Sequence, residues 1–172
     1  MKSEKMRTLK AELLADMLVL EVLEGKYRLI HAKLARIKPD EFDYVGLAYT
    51  IVNLYGIIEN YCLRIAKCFE NDVDKLNWHR DLIKRLSLEI DGIRPALLRS
   101  KDVPLIDELR AFRHVFRHIY QSELDLEKLK LVDSRVPGAL NVFKSAHDRF
   151  IGNLQALIDI IDGKNKDPQM IR

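Results

Sequence analysis

A chain of 172 residues with 48% hydrophobic and 32% charged content suits one folded domain with a sizeable core, and is too apolar for a disordered polymer. Its net charge of +3 is too small to mark a nucleic-acid binder by bulk electrostatics, so any anion-binding role must come from local clustering. No apolar run approaches the roughly 18 residues that span a bilayer, and the start "MKSEKMRTLKAELLADM" lacks the apolar stretch and cleavage site of a signal peptide, which points to a cytoplasmic protein.

Taken in chain order, every strongly periodic segment has helical spacing, with no convincing strand alternation. Met6, Leu9, Leu13, Met17, Leu20, Tyr27, Ile30, Leu34 and Ile37 keep one phase through Gly25, which predicts one long first helix that stops near Lys38, ahead of Pro39. Asp40, Glu41 and Asp43 suit the positive N-terminus of a second helix. From Tyr44 to Phe69 that helix is apolar on most faces and reads as the most buried element. Cys62 and Cys68 lie within it and read as buried, reduced thiols rather than a disulfide or a metal site. A third helix carries Leu82, Ile83, Leu86 and Ile90 and ends before "GIRP". In the fourth, Leu105, Leu109, Phe112, Phe116 and Ile119 form a narrow seam. After a leucine-bearing piece at "ELDLEKLKLV", Pro137 is placed to open the last helix, whose seam Leu140, Phe143, Phe150, Leu154, Leu157 and Ile161 ends at a Gly163 cap. The expected architecture is a single up-and-down all-α bundle of five to six helices over 1–163, followed by a flexible tail, 164–172.

The stretch "RAFRHVFRHIYQ" in the fourth helix holds Arg110, Arg113, Arg117, His114 and His118 with no acid inside it. At about 100° per residue, Arg110, Arg113, Arg117 and Tyr120 share one face, His114 and His118 another, and Arg113 stands about 140° from His118. Two residues so placed converge only if the helix bends or a second chain completes the site, so a homodimeric site is the physical expectation. Histidine exchanges protons near neutrality, and arginine matches phosphate oxygens with paired donors. Together they suit attack of an RNA 2′-hydroxyl on the neighbouring phosphate. No Glu-x-x-His pair and no zinc-type Cys/His spacing is found, so neither a metal nor a cofactor is expected. Plainer readings compete. Arginines on a helix face most often solvate it or pair with acids on neighbouring helices. His114 and His118 could be a helical metal pair without a third ligand, Tyr120 an amphipathic helix-end residue, and His31, His79 and His147 satisfied structural groups.

The order Arg113-x4-His118-x-Tyr120, with His114 directly after the arginine, resembles the signature of HEPN-domain ribonucleases, and the trailing tyrosine resembles the HepT toxin branch. "YTIVNLYGIIENYCLRIAKCFE" is similar to the second helix of that group, "NWHRDLIK" to its third-helix entry, and "LRAFRHVFRHIYQSELDLEKL" to its active-site region. The resemblance implies the toxin of a type VII HepT/MNT-like toxin–antitoxin system, a homodimeric, metal-independent endoribonuclease cutting transfer or messenger RNA. It implies that Arg113 binds the scissile phosphate, that His118 moves protons, and that His114 supports them. It further implies an MNT-type nucleotidyltransferase antitoxin that silences the toxin by attaching AMP to Tyr120. Arg110 and Arg117, on the face of Arg113, are candidate contacts to the RNA backbone. Asn53 and Glu59 could reach the site or satisfy buried neighbours, and Trp78 and His79 read as packing. The alternatives are a non-catalytic HEPN module that docks a nucleotidyltransferase and binds nucleotide or RNA, and a plain helical scaffold with a basic face.

Overall fold

A computed structural model describes residues 3–36, 38–69, 78–118 and 124–163, with backbone alone at 78–80. Among these the chain forms five α-helices and no strand: α1 (Ser3–Leu34), α2 (Glu41–Phe69), α3 (Trp78–Arg85), α4 (Val103–Arg117) and α5 (Leu126–Ile161), with a 3-10 turn at Ser100–Asp102 before α4. None of these helices is long and apolar enough to cross a membrane. The tail expected at 164–172 lies outside the described residues.

α1 runs unbroken through Gly25, as its periodicity predicts, and buries Met6, Leu9, Leu13, Met17, Leu20 and Tyr27 on one face. α2 is the central element. It packs against α1, α3, α4 and α5, and Ile51, Leu54, Tyr55, Ile58, Tyr61, Cys62 and Ile65 along it have no exposed surface. Truncating one such side chain, for example Leu54→Ala, removes contacts on several sides and costs roughly 2–5 kcal/mol. Both cysteines are free and buried, and burial pushes the Cys62 thiol well above its ordinary range.

α1 ends at Leu34, short of the stop expected near Lys38, and two further elements differ from the sequence reading. α3 stops at Arg85, so Leu86 and Ile90 fall outside it. The carbonyl of Leu86 accepts from Leu97 and Leu98, at 2.9 and 3.2 Å, instead of continuing a helix. Ile90 bridges Arg94 through paired backbone bonds, and Gly92 at φ 66° makes the tight turn between them.

The second correction concerns Pro137, which does not open the last helix but lies inside it. α5 starts eleven residues earlier because Asp125 is a good N-cap, its carboxylate accepting from the backbone N–H of Glu127 and Lys128 at 3.1 Å each. Proline lacks the N–H that would bond the carbonyl four residues back, which belongs to Asp133. The Tyr27 hydroxyl from α1 stands 3.2 Å from that carbonyl and 2.7 Å from the Asp133 carboxylate, which His31 Nε2 also meets at 2.9 Å. The freed carbonyl therefore takes the longer arm of the single Tyr27 proton, whose shorter arm goes to the Asp133 carboxylate. At the far end, Gly163 at φ 71° ends α5 in the left-handed conformation expected of a glycine cap.

Candidate active site on the fourth helix

α4 opens with Pro104 in its first turn and buries Ile106, Leu109 and Phe112 against the bundle. With that seam inward, the polar residues of its C-terminal half are sorted by angle alone. Arg113 falls on the flank next to α2. There α2 presents Tyr55 and Glu59, four residues and so one turn apart. Glu59 is 5% exposed, and its carboxylate meets the Arg113 guanidinium at 3.0 and 3.2 Å. The guanidinium carbon stands 5.8 Å from the centre of the Tyr55 ring, a cation–π contact. Burial, reinforced by the Glu59 charge, raises the Tyr55 phenol far above its ordinary range, so it stays protonated. Its hydroxyl meets no hydrogen-bond partner among the described residues.

The basic stretch thus has acids, drawn from outside its own twelve residues. Arg110 forms an ion pair with Asp107 one turn earlier, with a second contact at 3.2 Å. Pairing with an acid on a neighbouring helix, one of the plainer readings of this face, holds for Arg113. Arg113 and Arg110 are held by Glu59 and Asp107, while Arg117 is exposed and has no ion pair among the described residues.

The histidines occupy the solvent side at the end of α4. His118 is the C-cap residue, with φ −110° and ψ 13°, off the helical path. Its Nδ1 lies 2.7 Å from the His114 carbonyl oxygen, and the two imidazole rings stand 4.7 Å apart, tilted by 48°. A carbonyl oxygen only accepts, so Nδ1 is the donor in this contact, and in the corresponding neutral tautomer the lone pair lies on Nε2. That is the tautomer a general base requires. Within one chain no hydrogen bond or ion pair joins Arg113 to His118 among the described residues, as their angular separation predicts.

The remaining candidates separate clearly. Glu59 is a partner of Arg113, whereas Asn53 stands on a half-buried face of α2 about 120° away and does not reach the arginine. Tyr120 lies outside the described residues, as do the side chains of Trp78 and His79. His147 is structural: it is buried, its Nδ1 is 2.8 Å from the Tyr61 hydroxyl, and burial lowers its pKa. His31 is structural too, through Asp133. Among the described residues no three His, Cys, Asp or Glu side chains are grouped to hold a metal ion. Tyr55 and Asp107 were missed by sequence reasoning. The spacing Tyr55-x3-Glu59 on a helix facing Arg113 was available as a signal only once α2 and α4 were known to pack.

No curated protein and no solved structure matches the chain. A family model described as HepT-like protein matches residues 46–154, which take in most of α2 and all of α3, α4 and the candidate site. That span is well over half of the sequence, and the chain belongs to the HepT-type branch of the HEPN proteins.

Proposed function

We propose that this HepT-like protein is a metal-independent endoribonuclease acting as a homodimer, the toxin of a pair whose antitoxin is a nucleotidyltransferase. The observation that supports it most is the disposition of His118. Its proton-bearing Nδ1 is tied to the His114 carbonyl, so Nε2 is presented as a base at an exposed helix end, close along the chain to arginine.

The chemistry is transphosphorylation. Nε2 of His118 takes the proton of a ribose 2′-hydroxyl, whose oxygen bonds to the adjacent phosphorus. Arg113, and Arg117 at the exposed end, stabilise the charge gathering on the phosphoryl oxygens. The bond to the 5′-oxygen breaks, that oxygen takes up a proton from water, and the imidazolium of His118 returns its proton to solvent, so the step balances. The products are a 2′,3′-cyclic phosphate and a 5′-hydroxyl. His114 fixes the His118 ring through its carbonyl rather than through its own imidazole. Because Arg113 and His118 point apart in one chain, each site takes its arginine from one copy and its histidine from the other. AMP attached at Tyr120 would place a bulky anion beside these arginines and exclude RNA.

A second reading is favoured by one observation: Arg113 is already engaged by Glu59. A module that docks a nucleotidyltransferase and binds nucleotide or RNA without cutting it needs no free arginine. One experiment decides between them. Antitoxin-free protein, with its mass showing Tyr120 unmodified, is incubated with labelled total RNA in excess EDTA beside a folded His118→Ala variant. Cleavage by the wild type alone supports the ribonuclease; no cleavage by either supports the adaptor.

A further inference from the structure

Tyr55 carries a polar group that the fold of the chain leaves idle. Its side chain has no exposed surface, and its hydroxyl meets no hydrogen-bond partner among the described residues. A buried hydroxyl without a partner forfeits the bond it had with water, and phenylalanine would fill the same space without that loss. The hydroxyl therefore points to a second arrangement of the site, in which it is bonded.

Its surroundings limit what that arrangement can be. The charges of Arg113, which lies over the ring, and of Arg110 both bear on the phenol, but a guanidinium only donates. Glu59 can accept. It stands one turn along α2, and helical side chains lean toward the N-terminus, which carries its carboxylate back toward Tyr55. Its charge also helps to keep the phenol protonated, and so a donor. At rest both Glu59 oxygens are turned to Arg113, at 3.0 and 3.2 Å, and a single nitrogen, Nη1, makes both contacts. A nitrogen placed between two oxygens can give up one of them and still hold the other.

We infer that Tyr55 is a positioning residue that takes over one oxygen of Glu59 when Arg113 turns toward a phosphate. As a phosphoryl oxygen draws the guanidinium outward, one Glu59 oxygen is vacated. Glu59 is 5% exposed, and a buried carboxylate stripped of part of its partner would pull Arg113 back. The Tyr55 hydroxyl removes that resistance with a bond made inside α2, while Arg113 keeps the other oxygen and with it its aim. No proton changes hands. The phosphate being that of RNA rests on the ribonuclease reading; the exchange of Arg113 for Tyr55 on Glu59 does not.

Urea unfolding of four full-length chains tests it: wild type, Tyr55→Phe, Arg113→Met and the double variant. In the wild-type background Tyr55→Phe should leave the midpoint unchanged or raise it, since an unbonded hydroxyl is lost and the ring stays under the guanidinium. In the Arg113→Met background the hydroxyl bonds Glu59, so the same change should lower the folding constant about tenfold, roughly one hydrogen bond to a charged group. Arg113→Gln replaces Arg113→Met if the latter does not fold. Equal effects in the two backgrounds would overturn the inference: a shared loss means the hydroxyl is already bonded at rest, and shared neutrality means Glu59 never takes it. A second arm measures affinity for labelled total RNA in the His118→Ala background, to keep the RNA intact. There Tyr55→Phe should weaken binding about tenfold, which a hydroxyl idle in every state would not do, and unchanged binding would also overturn the inference. A wild type that cuts no RNA would sink the ribonuclease reading by itself, because the unfolding comparison uses no RNA and still decides the exchange.

Discussion

The contact between Arg113 and Glu59 makes a quantitative test possible. At an effective dielectric of about 20, unit charges about 4 Å apart attract by about 4 kcal/mol. Here the closest approach is 3.0 Å, but the Glu59 side chain is only 7% exposed and Arg113 24%, so desolvation offsets much of the attraction. A net coupling of about 1–2 kcal/mol is what such a half-buried pair should retain. The measurement is a double-mutant cycle in urea with Glu59→Gln, Arg113→Gln and the double variant. Glutamine keeps the shape at Glu59 and an acceptor oxygen, so the cycle isolates the charge interaction from packing. The double variant should be less destabilised than the sum of the singles by that amount. If the site cleaves RNA, Glu59→Gln should also lower kcat/KM about tenfold by loosening Arg113, whereas Arg113→Gln should abolish cleavage. Singles that add to within about 0.5 kcal/mol would refute the reasoning, because the pair would then contribute no more than two independent surface groups.

Three other outcomes follow from the core. Tyr27→Phe should destabilise the fold by about 1.5–3 kcal/mol in urea, since the hydroxyl bonds the Asp133 carboxylate at 2.7 Å, and Pro137→Ala should soften that loss by returning a helical donor to the Asp133 carbonyl. Burial lowers the His147 pKa, so the unfolded chain binds the proton first; the stabilisation is complete above about pH 6.5 and fades as pH falls through that value. The fall in stability between pH 7.5 and 5.5 should be shallower in His147→Gln, and an identical slope would contradict this assignment. Cys62, buried and with its thiol pushed up, should react with a thiol reagent only after denaturant is added; prompt reaction of the folded protein at that residue would show that α2 opens locally.

Much of the candidate site was legible because it is local. The three-and-four spacing of Arg110, Arg113 and Arg117 and the separate face of His114 and His118 follow from helix geometry alone. The divergence of Arg113 and His118 within one chain follows from the same angles. The partners of those arginines were not legible in the same way. Asp107 was within one turn of Arg110 but outside the stretch that drew attention, and Glu59 lies 54 residues from Arg113 along the chain. A polar residue in an apolar helix can face any neighbour, and Asn53 and Glu59 looked alike until packing put one beside the arginine and the other on a different face.

By itself the sequence determined the class of fold, the long first helix through Gly25, the buried character of α2 and the glycine cap at Gly163, because each rests on periodicity or on backbone conformations few residues allow. Only the tertiary structure decided where α3 and α5 end and begin. Ile90 keeps the apolar phase of α3, yet the Leu86 carbonyl is taken by Leu97 and Leu98 before the helix can reach it. Pro137 reads as a helix start because it has no N–H, and it sits mid-helix because the carbonyl it frees meets Tyr27, 106 residues away from Asp133. A local signal for ending a helix is an unsatisfied hydrogen bond, and a distant side chain that satisfies it cancels the signal.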